Sequence, residues 1–186
     1  MKVFEKPGRG NTDDTCRLAI ERAVAMGNAT IVASTTTGAA GARLCEIAGE
    51  MNFKGKLVIV THAWGSRKPG ENLLTPENRA AMEKHGALLV TAAHALSGAE
   101  RALSTKFHGA YPVEIIAHTL RMLSAGIKVV VEIGSMALDN GAIPHGEPIV
   151  CLGGTGSGLD TAAVMSPSHA NTIFDTNIHE ILCMPY

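Results

Sequence analysis

The sequence is short of aromatic residues, and this shortage already limits the kind of core it can build. Only 4% of its residues are aromatic, although 46% are hydrophobic. The apolar volume therefore comes from Ala, Val, Ile, Leu and Met, which suits tightly packed layers of helix on sheet. With 186 residues, the chain has the length of one domain that buries most of its apolar surface.

Charge of one sign and long apolar runs are also missing. The chain has 16 Lys and Arg against 17 Asp and Glu, and no basic run, which disfavours binding to nucleic acid. The longest apolar stretch, 127–138, is interrupted by Glu132 and falls short of the roughly 20 residues that span a bilayer. Residues 1–10 carry no apolar signal region. We expect neither a nucleic-acid partner nor a membrane segment.

Metal-binding and disulfide patterns are absent as well. Four cysteines are widely separated: Cys16, Cys45, Cys151 and Cys183. Without a CxxC pair, they are expected to be reduced thiols in or near the core of a cytoplasmic protein. No two of the 8 histidines have HxxxH or HxH spacing, and the polar cluster at 167–180 has none either. We therefore expect no metal site.

Short apolar strands alternate with helical patterns in the first half of the chain. The pattern predicts strands at 30–34, 56–61 and 87–91, and helices at 11–26, 39–51 and 75–86, the last capped by Thr75. Continuous apolar strands between helices are typical of a parallel sheet covered on both faces. The fold class is therefore predicted to be α/β, a three-layer α/β/α sandwich with a mostly parallel sheet.

The second half is less regular. A helix is predicted at 111–125, with Gly126 ending it. Residues 127–140 are ambiguous, because Val129 to Val131 favour a strand while the spacing of the apolar residues favours a helix; we predict a helix. Strands at 148–152, 161–165 and 180–184 can complete the sheet.

The turn between the strand at 30–34 and the helix at 39–51 is the first candidate site. Its residues are small or hydroxyl-bearing: Ser34, Thr35, Thr36, Thr37, Gly38 and Ala39. A helix N-terminus has free N–H groups and partial positive charge, so such a turn suits a phosphate without needing Lys or Arg. The alternative is that these residues only cap the helix.

The next two strand ends carry histidines. The first supplies Thr61, His62, Trp64 and Gly65, and the second supplies His94, Ser97 and Gly98. Ligands of open α/β sheets gather at the carboxyl edge, where the histidines could exchange protons and the tryptophan could stack on a planar ring. Each residue could equally be a packing residue, but their recurrence at three strand ends favours one crevice.

A glycine-rich loop is the last candidate. Its glycines allow close approach of backbone to ligand, and it contains Gly153, Gly154, Thr155, Asp160 and Thr161. Asp160 could accept hydrogen bonds from a ligand, or it could simply form a local turn.

Seven segments together resemble a known family. They lie at 5–12 (EKPGRGNT), 34–40, 60–65 (VTHAWG), 93–98 (AHALSG), 112–126, 143–162 and 178–185. This set, which spans nearly the whole chain, is similar to the stand-alone archaeal and bacterial proteins related to the C-terminal α/β domain of pyruvate kinase. The resemblance implies a mixed, mostly parallel sheet. It also implies that the turn binds phosphate, as the related T-x-S-G-x-T-A loop of pyruvate kinases does.

The match in that loop is loose, because Thr37 stands where Ser is usual and Ala40 lacks the later hydroxyl. The stand-alone family is associated with flavin mononucleotide (FMN), so the resemblance implies a phosphorylated small molecule or FMN as ligand, with flavin-dependent redox activity if the protein is an enzyme. The chain lacks a barrel of about 250 residues, where pyruvate kinase chemistry resides, so no kinase activity is expected.

Two other functions stay open on the sequence alone. The chain could be a non-catalytic sensor of a phosphorylated metabolite that uses the same turn. It could also be a hydrolase in which His62 or His94 works with Asp160, provided that these side chains lie within about 3 Å of one another or of a shared water. Small residues on the helices would also permit a homo-oligomer.

Overall fold

The computed structural model describes residues 1–186 as a sheet with helices on both faces. The sheet has seven strands: β1 (Lys2–Phe4), β2 (Ile31–Thr35), β3 (Leu57–Thr61), β4 (Leu88–Thr91), β5 (Ile149–Gly153), β6 (Thr161–Ser166) and β7 (Asn177–Pro185). The helices are α1 (Thr12–Ala25), α2 (Ala39–Glu50), α3 (Pro76–Lys84), α4 (Glu100–Phe107), α5 (Pro112–Arg121) and α6 (Ala125–Asp139). The predicted α/β class is confirmed.

The sheet is mixed but mostly parallel. Its strand order is β1-β7-β6-β5-β2-β3-β4, and only β6 runs against its neighbours. The carboxyl ends of β2, β3, β4 and β5 therefore meet at one edge, and β6 begins there, since Gly153 pairs with Thr161.

Alternate residues of each strand feed two separate cores. On one face, Ile31 and Ala33 of β2 join a cluster of 22 buried residues beneath α1, α2 and α3. On the other face, Val32 joins a cluster of 15 buried residues beneath α6. This alternation places helices on both sides of the sheet, as the continuous apolar strands predict.

Several local features explain where the helices begin. Thr75 caps α3 by accepting a hydrogen bond from the Asn78 N–H at 3.3 Å, as predicted. The segment that we preferred to read as a helix over a strand is helical from residue 127 to Asp139, within α6, and Asn140 is the C-cap of that helix. Ser124 caps that helix through a 3.0 Å bond from the Ile127 N–H.

The structure corrects the sequence interpretation at three places. Gly126 does not end the helix that begins near Tyr111, because α5 ends at Arg121 and Gly126 is the second residue of α6. Helix α4 was not predicted, since it is 8 residues long and buries none of them. Strand β1 was also missed, because it is 3 residues long.

All four cysteines are buried and unpaired, in agreement with the prediction of core thiols. Every helix is too short or too polar to cross a membrane.

Candidate functional site

Four predicted strand-end segments lie along one edge of the sheet. The connections after β2, β3, β4 and β5 all leave from the shared carboxyl edge. The turn after β2, the histidines that follow β3 and β4, and the glycine-rich loop after β5 therefore lie along the same edge of the sheet, where the sequence predicts one crevice.

The turn at the start of α2 leaves several backbone donors free. Four N–H groups have no hydrogen-bond partner within the chain: those of Thr36, Thr37, Ala39 and Ala40. The first turn of α2 also contains no acidic residue. Free donors at the positive end of a helix dipole form an anion-binding site without any cationic side chain.

The buried Thr35 hydroxyl does part of the capping. Its Oγ1 accepts hydrogen bonds from the N–H groups of Gly38 at 3.1 Å and Gly41 at 3.4 Å. The prediction that Thr35 contacts a ligand is therefore not supported by its side chain, which is turned into the helix end. Capping and anion binding are both possible here, since Thr35 satisfies two donors and leaves the others free.

The segment before α3 holds the turn in shape. The Thr37 carbonyl accepts hydrogen bonds from the Thr75 N–H at 3.1 Å and from Asn78 Nδ2 at 2.9 Å. Gly38 has a φ of +95°, and a Cβ at this position would lie 2.4 Å from Asn78 Cβ. Only glycine fits this conformation and this approach, so the donors are preorganised rather than mobile.

Two histidines lie side by side at the ends of β3 and β4. The ring centroids of His62 and His94 are 4.8 Å apart, with the rings tilted by 41°. His62 Nδ1 and His94 Nε2 are buried and have no hydrogen-bond partner. Burial lowers the pKa of both imidazoles below the ordinary value, and each is therefore neutral at pH 7.

A buried ion pair lies behind these histidines. Lys128 and Glu132, one turn apart on α6, are joined by a 2.5 Å contact between Nζ and Oε2. Glu132 Oε2 is also 3.8 Å from His94 Nδ1, and Oε1 accepts a 3.1 Å bond from the Leu96 N–H. Burial lowers the pKa of Lys128, against the opposing effect of Glu132. His94 also borders a cleft of about 300 Å³ beside the last turns of α6.

Asp160 organises the glycine-rich loop. Its fully buried carboxylate accepts hydrogen bonds from the N–H groups of Gly8 at 2.9 Å and Thr155 at 3.1 Å, and from the Thr161 hydroxyl at 2.9 Å. These bonds favour the local turn-forming role over a role toward ligand. None of them involves a histidine, so the structure does not form the dyad that the hydrolase hypothesis requires.

The sequence profile of the pyruvate kinase alpha/beta domain matches residues 13–165. The chain belongs to the pyruvate kinase alpha/beta domain family. The matched range runs from α1 to β6 and includes the turn, both histidines and the glycine-rich loop. Family membership agrees with the observed mixed sheet between two helix layers.

The remaining predicted residues differ in what they can offer. The Thr61 hydroxyl lies 2.6 Å from that of Thr91 and donates to the His62 carbonyl at 3.2 Å, so both of its contacts are within the chain. Trp64 is 65% exposed and free to approach a ligand. Gly65, Ser97 and Gly98 form bends in the two histidine loops. Gly153 and Gly154 allow backbone packing, since a Cβ on Gly153 would lie 2.5 Å from the Gly126 carbonyl.

Sequence reasoning missed Lys128 and Glu132. They are 6% and 4% exposed, within a helix that is otherwise apolar on almost every side. Two opposite charges four residues apart inside an apolar run are a signal that could have singled them out. No group of three or more His, Cys, Asp and Glu side chains has an arrangement that could hold a metal ion.

Proposed function

We propose that this protein binds a phosphorylated ligand that carries a planar heterocycle, namely FMN, at the carboxyl edge of its sheet. The observation that carries the proposal is the set of four unpartnered N–H groups at the N-terminus of α2. Family membership supports the domain type and leaves the ligand to be inferred from this geometry.

The proposed position of the phosphate is supported by free backbone N–H groups at the N-terminus of α2. The free donors belong to a turn whose shape is fixed by Gly38, Thr75 and Asn78. A dianion accepts several N–H bonds and gains from the helix dipole, and charge-assisted bonds of this kind are about twice as strong as neutral ones. Thr37 is exposed and can add its hydroxyl to the site.

The proposed position of the flavin ring is supported by buried polar atoms that have no hydrogen-bond partner. Four buried side-chain N or O atoms have no partner, and three of them follow β3, β4 and β5: His62 Nδ1, His94 Nε2 and Thr155 Oγ1. A buried polar atom without a partner costs roughly 1–3 kcal/mol, so their concentration at one edge favours a polar ligand there. A flavin fits this region because its ring system has one polar edge, and Trp64 offers an exposed aromatic face.

A bound flavin would supply hydride and electron transfer of its own, and the protein would then contribute binding, orientation and local electrostatics. The turn would anchor the phosphate, and His62 and His94 would set the hydrogen bonding near the ring. Redox activity of the protein is part of this proposal.

The proposal is tested by flavin content and by titration. Purified protein should release a yellow flavin on denaturation, or quench FMN fluorescence when the cofactor is added. Thr37→Asp should weaken FMN binding by about 100-fold or more, because a carboxylate at the turn repels the phosphate. Thr119→Asp makes the same change at an exposed position on α5 and should leave binding unchanged.

Two results would contradict the proposal. One is a colourless protein that ignores added FMN. The other is a protein stabilised by sugar phosphates alone, in a manner that Thr37→Asp abolishes, which would favour the metabolite sensor.

A further inference from the structure

The buried Lys128–Glu132 pair is not explained by packing. Both side chains are buried, at 6% and 4% exposure, and replacing such a pair by apolar residues is often neutral or stabilising. Its contacts reach toward the candidate site instead, through His94 and through the backbone of Leu96. The pair is therefore a candidate for a role in that site.

The carboxylate of Glu132 can select the tautomer of the neutral His94 imidazole. Glu132 Oε2 lies 3.8 Å from His94 Nδ1, which is too far for a hydrogen bond, but its negative charge at that distance favours the neutral imidazole with the proton on Nδ1. Lys128 neutralises the carboxylate, so His94 is not driven toward the imidazolium form. His94 Nε2 is then left with a lone pair, that is, as a hydrogen-bond acceptor.

The imidazole of His62 can pair with that of His94. His94 Nε2 and His62 Nδ1 are both buried without a partner, and the centroids of their rings are 4.8 Å apart. A ring rotation that brings the two nitrogens together would satisfy both atoms with one hydrogen bond. If His94 Nε2 accepts, His62 Nδ1 must donate. His62 Nε2 is not among the buried atoms, has no partner in the chain, and would then carry the remaining lone pair.

We propose that Glu132, acting through His94, fixes His62 as a neutral imidazole whose Nε2 accepts a hydrogen bond from an N–H or O–H group of the ligand. Glu132 and His94 are positioning residues, and His62 is the residue that contacts the ligand. The inference rests on the proposed function, in which the ligand occupies this edge. The ring N–H of a flavin is a donor of the required kind.

The first test reads the tautomers directly in the ligand-free protein. Long-range ¹H–¹⁵N NMR spectra of the histidine side chains should show the proton on Nδ1 of both His62 and His94 at pH 7.5. Glu132→Gln keeps an acceptor for the Leu96 N–H but removes the charge, and it should shift His94 away from this tautomer. Glu100→Gln is the matched control, because Glu100 also accepts backbone N–H bonds, from Val113 and Glu114, without contacting either histidine.

A wild-type spectrum with the His94 proton on Nε2 would overturn the proposal, whether or not the Glu132 variant folds. So would an unchanged His94 tautomer in a folded Glu132→Gln protein. Both readouts are independent of FMN, so a protein that fails to bind FMN would refute the proposed function without changing the tautomer result.

The second test uses a flavin without the donor. FMN methylated at its ring N–H should bind the wild-type protein about tenfold more weakly than FMN, the loss expected for one hydrogen bond. In His62→Leu the ratio of the two affinities should fall to near one, in Glu132→Gln it should fall part of the way, and in Glu100→Gln it should not change. A ratio that persists in His62→Leu would show that the methyl group acts by bulk alone and would contradict the assignment.

Discussion

Helices α2 and α6 both begin at the carboxyl edge of the sheet, but the two N-termini differ in access. At α2, four N–H groups have no partner within the chain and no acidic residue lies in the first turn. At α6, Ser124 caps the helix, and Gly126 packs so closely that a Cβ there would lie 2.0 Å from Thr161 Oγ1. We call the N-terminus of α2 the open end and the N-terminus of α6 the closed end.

The closed end also has a carboxylate of the protein beside it. A Cβ on Gly126 would lie 3.1 Å from Asp160 Oδ1, so this buried negative charge sits near the positive end of α6. The first turn of α2 contains no acidic residue. A helix N-terminus can bind an anion only where the fold leaves its N–H donors without partners and its positive charge uncompensated, and the N-terminus of α2 meets both conditions.

The largest effect is expected from Gly126→Ala, which disrupts the closed end. The added methyl group would overlap Thr161 Oγ1 and Cβ, the latter at 2.4 Å, and neither atom can move far inside the sheet. We expect a loss of about 3 kcal/mol in the free energy of unfolding, measured by urea denaturation. Gly134→Ala is the control in the same helix, since its nearest neighbour is the flexible end of Met165 at 3.0 Å, and it should lose clearly less. Equal losses would argue against the tight packing at Gly126.

Thr35→Val changes the open end and should have the next largest effect. The substitution keeps the shape of the side chain but removes the acceptor for the N–H groups of Gly38 and Gly41. A loss of about 1–2 kcal/mol in unfolding free energy is expected, together with weaker FMN binding, because the turn is no longer held in one shape. If the Thr35→Val protein is destabilised but binds FMN with unchanged affinity, the Thr35 cap is not needed for binding the phosphate.

Ser124→Ala alters the corresponding cap of α6, which accepts only the Ile127 N–H bond at 3.0 Å. We expect a loss of about 1 kcal/mol in unfolding free energy and no change in FMN affinity. An affinity that falls as much as in Thr35→Val would mean that the two helix ends do not differ in function.

The smallest effect concerns the histidines near the open end. Burial lowers the pKa of both His62 and His94. The neighbouring His94 and Arg67 lower the pKa of His62 further, and for both histidines Glu132 raises the pKa while Lys128 lowers it. The unfolded chain then binds protons more readily, so this contribution to stability is present above about pH 6.5 and is lost as the pH falls toward the lowered values. Urea denaturation at pH 7.5 and 5.5 should show a larger loss in the wild-type protein than in a His62→Gln/His94→Gln variant. Equal losses would contradict the sign of the shifts.

Much of the fold could be predicted from the sequence because strong apolar periodicity marks its central elements. Strands β2 to β6, helices α1 to α3 and helix α6 all have buried faces that produce such a pattern. Helix α4 has no buried residue, and its Glu100 accepts hydrogen bonds from the Val113 and Glu114 N–H groups of α5, a tertiary contact that the sequence pattern does not reveal. Gly126 was misread because a glycine needed for close packing looks the same in sequence as one that ends a helix.

The candidate site was predictable in its location and less so in its details. Strand-end positions gave the turn, His62 and His94, because parallel topology brings carboxyl ends to one edge. The sequence could not show that the Thr35 hydroxyl is used for capping or that Asp160 binds Gly8, which is 152 residues away. The link from Glu132 to His94 also depends on tertiary packing, since it joins two elements 38 residues apart in the chain.

The central claim is that the open N-terminus of α2 holds a phosphate, and the most direct measurement compares FMN with riboflavin by backbone amide NMR. We expect FMN to shift the amide signals of Thr36, Thr37, Ala39 and Ala40 strongly, and riboflavin, which lacks the phosphate, to bind at least about tenfold more weakly and to leave those signals nearly unmoved. Equal affinities for the two flavins, or shifts confined to the N-terminus of α6, would contradict the account.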